Sequence, residues 1–230
     1  MISLQQINRT FYLGDQAVQA LDNINLDIAQ GEYLSVMGPS GSGKSTLLNV
    51  MGLLDRPNSG KYLIENQSSA DLPEAERAAL RRDHIGFVFQ SYHLINRLTA
   101  RENITLPMVL SGLSPAVRNT KVTALLQQLG LTERAGHLPS QLSGGQRQRV
   151  AIGRAIVMSP NILLADEPTG NLDSRSGAEV VEVLEKLNQE GITLLIVTHD
   201  PELGKRAPRQ IQMIDGQITQ DSVHNNGVKG

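Results

Sequence analysis

The sequence contains no cysteine, no tryptophan and few other aromatic residues. Without cysteine the chain cannot form a disulfide, a thiolate metal site or a cysteine nucleophile, which suits a reducing compartment. Aromatic residues make up only 3 % of the chain, too few for the stacking platform that binds single-stranded nucleic acid. The sequence therefore points away from disulfide-rich proteins, thiol enzymes and stacking nucleic-acid binders.

The chain also lacks an excess of positive charge and long apolar runs. Its 21 basic and 23 acidic residues give a net charge of −2, whereas proteins that hold a nucleic-acid backbone usually carry a basic excess. No apolar run approaches the roughly 18 residues that a membrane-spanning helix needs, and the first residues do not resemble a secretory signal. We expect a soluble, cytoplasmic chain that reaches a membrane only through a partner.

Short apolar segments predict a sheet of strands followed by turns and helices. Four segments are predicted as buried strands: Tyr33–Met37, Ile85–Phe89, Ile162–Ala165 and Leu194–Val197. The last two have no polar alternation, which is typical of parallel strands covered on both faces. Alternating polar and apolar residues predict half-exposed antiparallel strands nearer the N-terminus, at Ser3–Ile7, Ile24–Ile28 and Lys61–Ile64.

Helical patterns lie between these strands and predict an α/β fold. The predicted helices are Ser45–Leu54, Pro73–Arg82, Val117–Leu129, Gln146–Met158 and Gly177–Glu190. Residues 91–160 carry mostly helical patterns, so we interpret them as a helical subdomain inserted into a core formed by residues 1–90 and 161–220. The whole of 1–220 is predicted to be one domain, and the polar residues 221–230 a flexible tail.

The strongest motif is a glycine-rich loop that follows a predicted strand and opens a predicted helix. It comprises Gly38, Pro39, Ser40, Gly41, Ser42, Gly43, Lys44 and Ser45, followed by Thr46. This is the G-x-x-x-x-G-K-[ST] pattern of a phosphate-binding loop, in the context that the pattern requires. We expect Lys44 to contact the β- and γ-phosphates of a nucleotide and the Ser45 hydroxyl to bind Mg²⁺.

Polar side chains follow three other buried strands. Asp166 and Glu167 come at the end of one strand, Gln90 follows a second and His199 a third. Ligands of parallel α/β sheets lie beyond the carboxyl ends of the strands, so we expect these residues to face one edge together with Lys44. Asp166 is then placed to hold Mg²⁺ and Glu167 to polarise an attacking water, a sufficient set for phosphoryl transfer.

A second glycine-rich loop contains Leu142, Ser143, Gly144, Gly145 and Gln146 and opens an amphipathic helix. A helix N-terminus of this kind binds anions. The chain therefore carries two phosphate-facing elements about a hundred residues apart in sequence. Either the two meet within one chain, or each faces the other's partner in a dimer.

Taken together, these motifs resemble those of the ATP-binding cassette (ABC) ATPases, in the family's order, from about Leu4 to Ile218. The resemblance implies a RecA-like parallel core, an antiparallel β subdomain and a helical subdomain. It also implies a head-to-tail dimer with two ATP molecules, each lying between the phosphate loop of one chain and the LSGGQ signature loop of the other.

The same resemblance implies roles for individual residues. Residues of the signature loop, Ser143 to Gln146, would touch the partner's ATP, and His199 would contact the γ-phosphate. Gln90 would bind Mg²⁺ and couple to the helical subdomain, while Asp173 would link the two sites. An aromatic residue upstream of the phosphate loop would stack on adenine, and Phe11 fits best with Tyr12 as the alternative. Gly170-Asn171-Leu172 precedes Asp173 where many relatives have Ser-Ala-Leu.

Two stretches, GFVFQSYHLINRLTARENITLP and DEPTGNLDS, are similar to the branch of the family that serves macrolide export and lipoprotein release. The likeness implies an integral membrane permease as partner, which would hold the chain at the cytoplasmic face of the inner membrane. The permease contacts would be Tyr92, Leu94, Ile95 and Leu98, unless these side chains are simply core of the helical subdomain.

Other functions agree less well with the sequence. A soluble ABC ATPase that acts on DNA or the ribosome is the main alternative, but its known forms carry long insertions, zinc-binding cysteines or two cassettes in one chain. A phosphate-loop kinase would not need the signature loop, and an inactive scaffold would be expected to have lost Glu167 or His199. We therefore predict a Mg²⁺-dependent ATPase subunit of a membrane transporter.

Overall fold

The computed structural model describes residues 2–14, 16–65, 67–69 and 72–223. Within these residues the chain forms ten β-strands in two sheets and seven α-helices. None of the helices in these ranges combines the length and the apolar character that crossing a bilayer requires.

The first sheet is antiparallel and contains strands close to the N-terminus. In the order β2-β1-β4-β5, it comprises β1 (Ile2–Leu13), β2 (Gln16–Ile28), β4 (Ser59–Ile64) and β5 (Gln67–Ser68). The predicted antiparallel strands are confirmed, but β1 and β2 run further than expected. Their extra residues form a hairpin in which Phe11 pairs with Val18 and Tyr12 with Ala17. Because the side chains of this hairpin are mostly exposed, the hydrophobic pattern of the sequence did not indicate it.

The second sheet has the strand order β10-β9-β3-β8-β7-β6. Its strands are β3 (Tyr33–Met37), β6 (Ile85–Phe89), β7 (Ile162–Asp166), β8 (Thr193–Val197), β9 (Arg209–Ile214) and β10 (Gln217–Val223). All neighbours are parallel except β9 and β10. The four predicted buried strands are confirmed, and their carboxyl ends lie at one edge of the sheet.

The helices cover this sheet and fill the region between β6 and β7. They are α1 (Lys44–Met51), α2 (Glu74–His84), α3 (Ala100–Leu110), α4 (Pro115–Gln128), α5 (Gly144–Ile156), α6 (Ser174–Gln189) and α7 (Pro201–Gly204). Between β6 and β7, where every residue is described, there are helices and turns but no strand, in line with the helical patterns of residues 91–160. The sequence did not single out α3, which Thr99 and Glu102 start with a reciprocal capping box.

Alternate residues of the parallel strands face two separate hydrophobic clusters, as the two-residue period of a strand requires. On β7, Ile162 and Leu164 pack with α1 and the antiparallel sheet. Leu163 and Ala165 pack on the opposite face, with α3, α5 and α6. Because apolar clusters cover both faces of the sheet, polar functional side chains can lie only at its edges and at the ends of its strands.

One boundary prediction is wrong. Residues 221–223, expected to begin a flexible tail, belong to β10 and pair with β9. Arg209 holds Asp221 through a 2.6 Å ion pair and Glu32 through another of 2.9 Å, so strand pairing and charge together order this end. Residues 224–230, the rest of the predicted tail, lie outside the described residues.

Candidate active site

In the glycine-rich loop between β3 and α1, two glycines combine a positive φ angle with a backbone neighbour too close for a Cβ atom. Gly38 has a φ angle of 155° and Gly43 one of 97°. A Cβ atom at Gly38 would clash with the carbonyl oxygen of Met213, and one at Gly43 with the carbonyl oxygen of Ala20. The loop therefore takes its shape from close backbone approaches on both sides.

The β9–β10 hairpin supports the loop from outside. The N–H of Gly216, at the turn of this hairpin, donates a 3.0 Å hydrogen bond to the carbonyl oxygen of Ser42. The carbonyl oxygen of Gly216 accepts a 2.8 Å hydrogen bond from the N–H of Asp22. One turn thus joins the phosphate loop to β2, so three distant segments of the chain fix the loop together.

Lys44 lies folded against the carbonyl oxygens of the loop. Its ammonium group donates hydrogen bonds of 2.8 Å to the carbonyl oxygens of Gly38 and Pro39. Burial lowers the pKa of the Lys44 side chain, and the nearby carboxylates of Glu167 and Asp166 oppose that shift. A cation held among loop carbonyls can exchange them for phosphate oxygens with little movement.

Asp166, the last residue of β7, and Ser45, in the first turn of α1, form a pair of oxygen donors joined by a hydrogen bond. Burial and the adjacent Glu167 raise the pKa of the Asp166 carboxyl, while a hydrogen bond from Ser45 and the charge of Lys44 lower it. Hard oxygen ligands with excess negative charge suit Mg²⁺, which is commonly held by one or two protein oxygens plus phosphates and water. Within the described ranges, no three His, Asp or Glu side chains are grouped so that they could hold a metal ion.

Glu167 and His199 are in direct contact. Glu167 has a φ angle of 47°, which turns the chain sharply out of β7, and its N–H donates to the carbonyl oxygen of Val197. One carboxylate oxygen lies 2.7 Å from Nδ1 of His199 and the other accepts from the Thr198 hydroxyl at 3.2 Å. The His199 side chain is 73 % exposed and Glu167 only 16 %, so the pair presents an oriented carboxylate to the opening above the loop.

A cavity of about 420 Å³ opens above the phosphate loop and brings many of the predicted residues together. Those that line it are Ser40, Gly41, Ser42, Gly43, Lys44, Ser45, Thr46, Glu167 and His199, joined by Val18, Gln19 and Ala20 of β2 and Val197 of β8. Phe11 shares a face with the lining residue Val18 because the two residues pair directly. The ring of Phe11 is 37 % exposed, whereas Tyr12 is 74 % exposed.

The Gln90 side chain is not among the residues that line this cavity. Gln90 follows Phe89, which pairs with Asp166, but its amide nitrogen lies 3.5 Å from Oδ1 of Asn171. In return, the Asn171 amide donates a 3.1 Å hydrogen bond to the Gln90 carbonyl oxygen. Our sequence reasoning missed this partner of Gln90, and the unusual Gly170-Asn171 dipeptide was the only signal for it.

The signature loop caps its own helix. The Ser143 hydroxyl oxygen accepts from the N–H of Gln146 at 3.2 Å, and the Gln146 side chain accepts from the N–H of Ser143 at 3.0 Å. The two glycines are tightly covered: a Cβ at Gly144 would lie 2.9 Å from Leu172, and one at Gly145 would lie 3.1 Å from Ser176. None of residues 143–146, all within the described ranges, lines the phosphate-loop cavity of the same chain.

Asp173 also caps a helix and lies away from the phosphate loop. Its carboxylate accepts a 3.0 Å hydrogen bond from the N–H of Ser176 at the start of α6. That bond and others from the same turn lower the pKa of the Asp173 carboxyl. The side chain is therefore a fixed negative charge on the surface, beside the covered glycines of the signature loop.

The four candidate permease contacts differ in exposure. Leu94 is partly buried against the hydrophobic cluster on the helical side of the sheet, whereas Ile95 is 42 % exposed. Tyr92 points its hydroxyl at the carbonyl oxygen of Asn171, 3.5 Å away. Leu98 lines a separate groove between α3 and α4. Of the four, Ile95 is the exposed side chain, whereas Tyr92, Leu94 and Leu98 are half-buried.

Comparison with known proteins identifies the family of the chain. The sequence model of the family described as "ABC transporter" matches residues 21–170. Macrolide export ATP-binding/permease proteins MacB are similar over nearly the whole chain: the Paracoccus denitrificans protein is 50 % identical over 221 residues and the Hahella chejuensis protein 50 % over 224. These alignments cover 96 % and 97 % of this chain but 33 % and 34 % of the relatives. The chain thus spans about a third of their length.

Solved structures agree with this assignment. The chain is similar to the dimeric ATP-binding cassette MJ0796 in a post-hydrolysis state bound to ADP and Pi, with 42 % identity and a TM-score of 0.91. A second dimeric structure of this cassette, described as bacterial, is 44 % identical with the same score. Each match covers 99 % of this chain and 100 % of the other. The chain therefore belongs to the ABC transporter family and is one of its ATP-binding cassette ATPases.

Proposed function

We propose that this ATPase works as a head-to-tail homodimer that binds two ATP molecules and drives a membrane permease of the macrolide-exporter type. The observation that carries the proposal is the separation of the two glycine-rich loops. Lys44, Ser45, Glu167 and His199 surround one cavity, whereas the signature loop from Ser143 lies outside it. A second chain can supply the missing loop, and the two similar solved cassettes are described as dimeric.

ATP would enter the cavity above the phosphate loop. Lys44 would exchange the carbonyl oxygens of Gly38 and Pro39 for the β- and γ-phosphate oxygens, and the N–H groups of the loop and of Thr46 would hold the α- and β-phosphates. Phe11 would stack on adenine, since it shares the face of Val18 at the rim of the cavity. The ring is held by the Arg9 guanidinium, 4.4 Å from its centroid.

Mg²⁺ would be held by the Ser45 hydroxyl and the Asp166 carboxylate, with Gln90 as the third protein ligand. When bound, the metal neutralises phosphate charge and fixes the phosphate oxygens for in-line attack.

Glu167 would orient and polarise the attacking water as general base. Its carboxylate is already fixed by His199 at 2.7 Å and Thr198 at 3.2 Å, so little reorganisation is needed when a nucleotide arrives. His199, largely exposed on the same rim, would contact the γ-phosphate and keep Glu167 aligned with it.

The partner chain would close the site from above. Its signature loop, Ser143, Gly144, Gly145 and Gln146, would place a hydroxyl and N–H groups of the α5 N-terminus against the γ-phosphate. Asp173, next to that loop, would lie at the same interface and connect the two sites. Closure would require the helical region, residues 91–160, to move as a subdomain against the core of 1–90 and 161–220.

The permease would dock beside the Gln90 loop, through Tyr92, Leu94, Ile95 and Leu98. The names of the curated relatives join ATP binding and permease in one protein, and this chain spans about a third of their length. A permease, whether fused or separate, would hold the chain at the cytoplasmic face of the inner membrane. The coupled process would be export, lipoprotein release or mechanotransmission through the permease.

A Glu167→Gln variant tests the ATPase cycle. The amide cannot accept the water proton, so turnover should fall about 1,000-fold, while ATP affinity is retained and the chain accumulates as an ATP-bound dimer in size-exclusion chromatography. Adding Ser143→Arg should preserve ATP binding to the single chain and abolish that dimer. Normal turnover by Glu167→Gln, or a dimer that survives Ser143→Arg, would contradict the proposal.

Capture of partners by the same trapped variant tests the transport role. Glu167→Gln with ATP and Mg²⁺ is used as bait on detergent-solubilised membranes, and bound proteins are identified by mass spectrometry. We expect an integral membrane permease, and its loss when Ile95 and Leu98 are both changed to Ser. Recovery of ribosomal or DNA-bound proteins in place of a permease would favour the soluble alternative.

A further inference from the structure

The part of β2 that faces the phosphate loop is a β-bulge. In the pairing of β1 with β2, Ala20 is the extra residue between Gln19 and Leu21, an arrangement that bends a strand locally. The Ala20 carbonyl oxygen occupies the space that a Cβ at Gly43 would need, so this bulge is in direct contact with the loop. Because residues 18–20 also line the nucleotide cavity, the same short stretch of β2 adjoins both the wall and the floor of that cavity.

The turn of the β9–β10 hairpin packs against the same place. A Cβ at Gly216 would lie 3.0 Å from the Ala20 carbonyl oxygen, while the Gly216 N–H donates to the carbonyl oxygen of Ser42 at 3.0 Å. Gly216 is therefore inserted between β2 and the phosphate loop, with main-chain contacts on both sides. A small outward shift of this turn would remove the support of the loop at Ser42.

Asp22 of β2 ties this turn to the strand. One oxygen of its carboxylate accepts a 2.8 Å hydrogen bond from the Gln19 side-chain amide, and the other accepts from the side-chain amide of Gln217. Gln19 belongs to the cavity wall, and Gln217 directly follows Gly216. The main-chain N–H of Asp22 adds a 2.8 Å bond to the Gly216 carbonyl oxygen. Asp22 thus holds the cavity wall and the supporting turn at the same time.

A carboxylate suits this position because it accepts hydrogen bonds on both oxygens and donates none. Two amide N–H groups can therefore point at it from opposite sides, one from β2 and one from β10. Hydrogen bonds to an ionised acceptor are stronger than those between neutral groups. The Asp22 side chain is also half-buried, so water competes less with the two amides than it would at an exposed position. The carboxylate is consequently the strongest side-chain link between β2 and the hairpin turn.

We propose that Asp22 is a positioning residue for the phosphate loop: it keeps the β9–β10 turn against β2, so that Gly216 holds the loop in the shape that receives nucleotide phosphates. This inference rests on the proposed binding of nucleotide above the loop. Without the carboxylate, main-chain bonds alone hold the turn, and the loop spends part of its time in shapes that do not bind. The observed affinity then falls in proportion to the fraction of chains that are competent to bind.

Titration with a fluorescent ADP analogue and Mg²⁺ tests this role, because ADP is not hydrolysed and keeps the phosphates nearest to the loop. Asp22→Ala should weaken binding about 5-fold, the effect of about one lost hydrogen bond to a charged group. Asp22→Asn should weaken it less, since its single oxygen can still accept from one of the two amides. Asp27→Ala, which changes an exposed aspartate of the same strand, should leave the affinity unchanged.

A double variant separates this role from a general loss of stability. In a Gln217→Ala background, Asp22→Ala should weaken the ADP analogue clearly less than 5-fold, because one of the contacts that it removes is already gone. Circular dichroism confirms that each variant is folded at the temperature of the titration. Unchanged affinity in Asp22→Ala, or an equal loss in both backgrounds, would overturn the inference. Should Asp22→Ala not fold, the exposed change Gln217→Ala alone should weaken binding, and unchanged affinity there would overturn it.

Hydrogen exchange without added nucleotide reports on the loop itself. The Ser42 N–H donates to the Pro39 carbonyl oxygen at 3.2 Å, so its exchange follows the order of the loop. Asp22→Ala should speed exchange in the peptide that contains residues 38–46 and leave the peptide of α5 unchanged. Unaltered exchange in the loop peptide would contradict the positioning role. If the unmodified chain does not bind the ADP analogue, the proposed nucleotide site fails, and the exchange result still decides whether Asp22 holds the loop.

Discussion

The helices α1 and α5 both begin at glycine-rich loops, but only α5 has side chains that cap the N–H groups of its first turn. At α1, Gly43 precedes the helix with a left-handed backbone, no side chain caps the end and no acidic residue lies in the first turn. At α5, Ser143 and Gln146 cap each other's main-chain N–H groups. One end keeps its N–H groups for an external anion, and the other has already satisfied part of its own.

This difference separates the tasks of the two loops. An uncapped end with positive potential suits a ligand that stays bound through the cycle, as a nucleotide does in its own chain. A helix end that is capped by its own side chains is stable without a ligand, so the signature loop can stay folded before it contacts a partner's phosphate. Its Ser143 hydroxyl can then rotate toward the phosphate at the cost of one cap hydrogen bond.

Lys44→Ala should have the largest effect, because it removes the positive charge at the uncapped N-terminus of α1. Two charge-assisted contacts to phosphate would be lost, so ATP affinity should fall about 100-fold, or about 2.7 kcal/mol. Equilibrium titration with a fluorescent ATP analogue measures this directly. Lys186→Ala, an exposed charge removed from α6, serves as the control. Unchanged affinity in Lys44→Ala would refute the phosphate-loop role.

Gly43→Ala should have the second largest effect, because its Cβ would occupy the space between the residue before α1 and the Ala20 carbonyl oxygen. The left-handed φ of 97° and the clash with the Ala20 carbonyl oxygen should together lower the free energy of unfolding by about 2 kcal/mol. Gly41→Ala is the matched control: its φ is 80°, but nothing lies within 4 Å of the new Cβ. Equal losses in urea unfolding would show that the Ala20 contact is unimportant.

Ser143→Ala should have a smaller effect, which is limited to the N-terminus of α5 that Ser143 caps. Loss of the cap should reduce the free energy of unfolding by about 1 kcal/mol, without a change in ATP affinity of the single chain. Ser114→Ala offers the control, because Ser114 precedes α4 and makes no side-chain cap hydrogen bond. A fall in single-chain ATP affinity would mean that both loops face one nucleotide within the same chain.

Asp173→Asn should produce the smallest effect, visible in the pH dependence of stability. Main-chain hydrogen bonds lower the pKa of the folded Asp173 carboxyl, so its stabilising contribution is present above the unfolded pKa near 4 and is lost as pH falls through the folded value. The difference in unfolding free energy between wild type and Asp173→Asn should therefore shrink between about pH 4 and pH 2. The difference for Ser143→Ala, whose cap does not titrate, should stay constant over that range.

Parts of the fold that depend on local sequence could be predicted without a structure. The phosphate loop, the apolar strands and the strand ends that bring Asp166, Glu167 and His199 together all follow from adjacent residues. The self-capping of α5 could also have been foreseen, because Ser143 and Gln146 have the spacing of a capping box. The same signal at Thr99 and Glu102 would have located α3.

Features that depend on distant partners could not be predicted in this way. Strand β9 contains three polar residues among six and belongs to the parallel sheet only because it pairs with β3. Asp221 looked like the start of a tail because its partner Arg209 lies in that unpredicted strand. The contact between Gln90 and Asn171 spans 81 positions, and its only trace in the local sequence is the Gly170-Asn171 dipeptide, which stands where many relatives have Ser-Ala.

The support that Gly216 gives to Ser42 has a consequence for synthesis of the chain. The ribosome completes the phosphate loop early, yet the turn that supports this loop is added more than 170 residues later. While the chain is being translated, the early loop lacks this support, and we expect tight ATP binding only after the β9–β10 hairpin has formed. Nucleotide binding becomes a late event, reserved for chains that have finished their core.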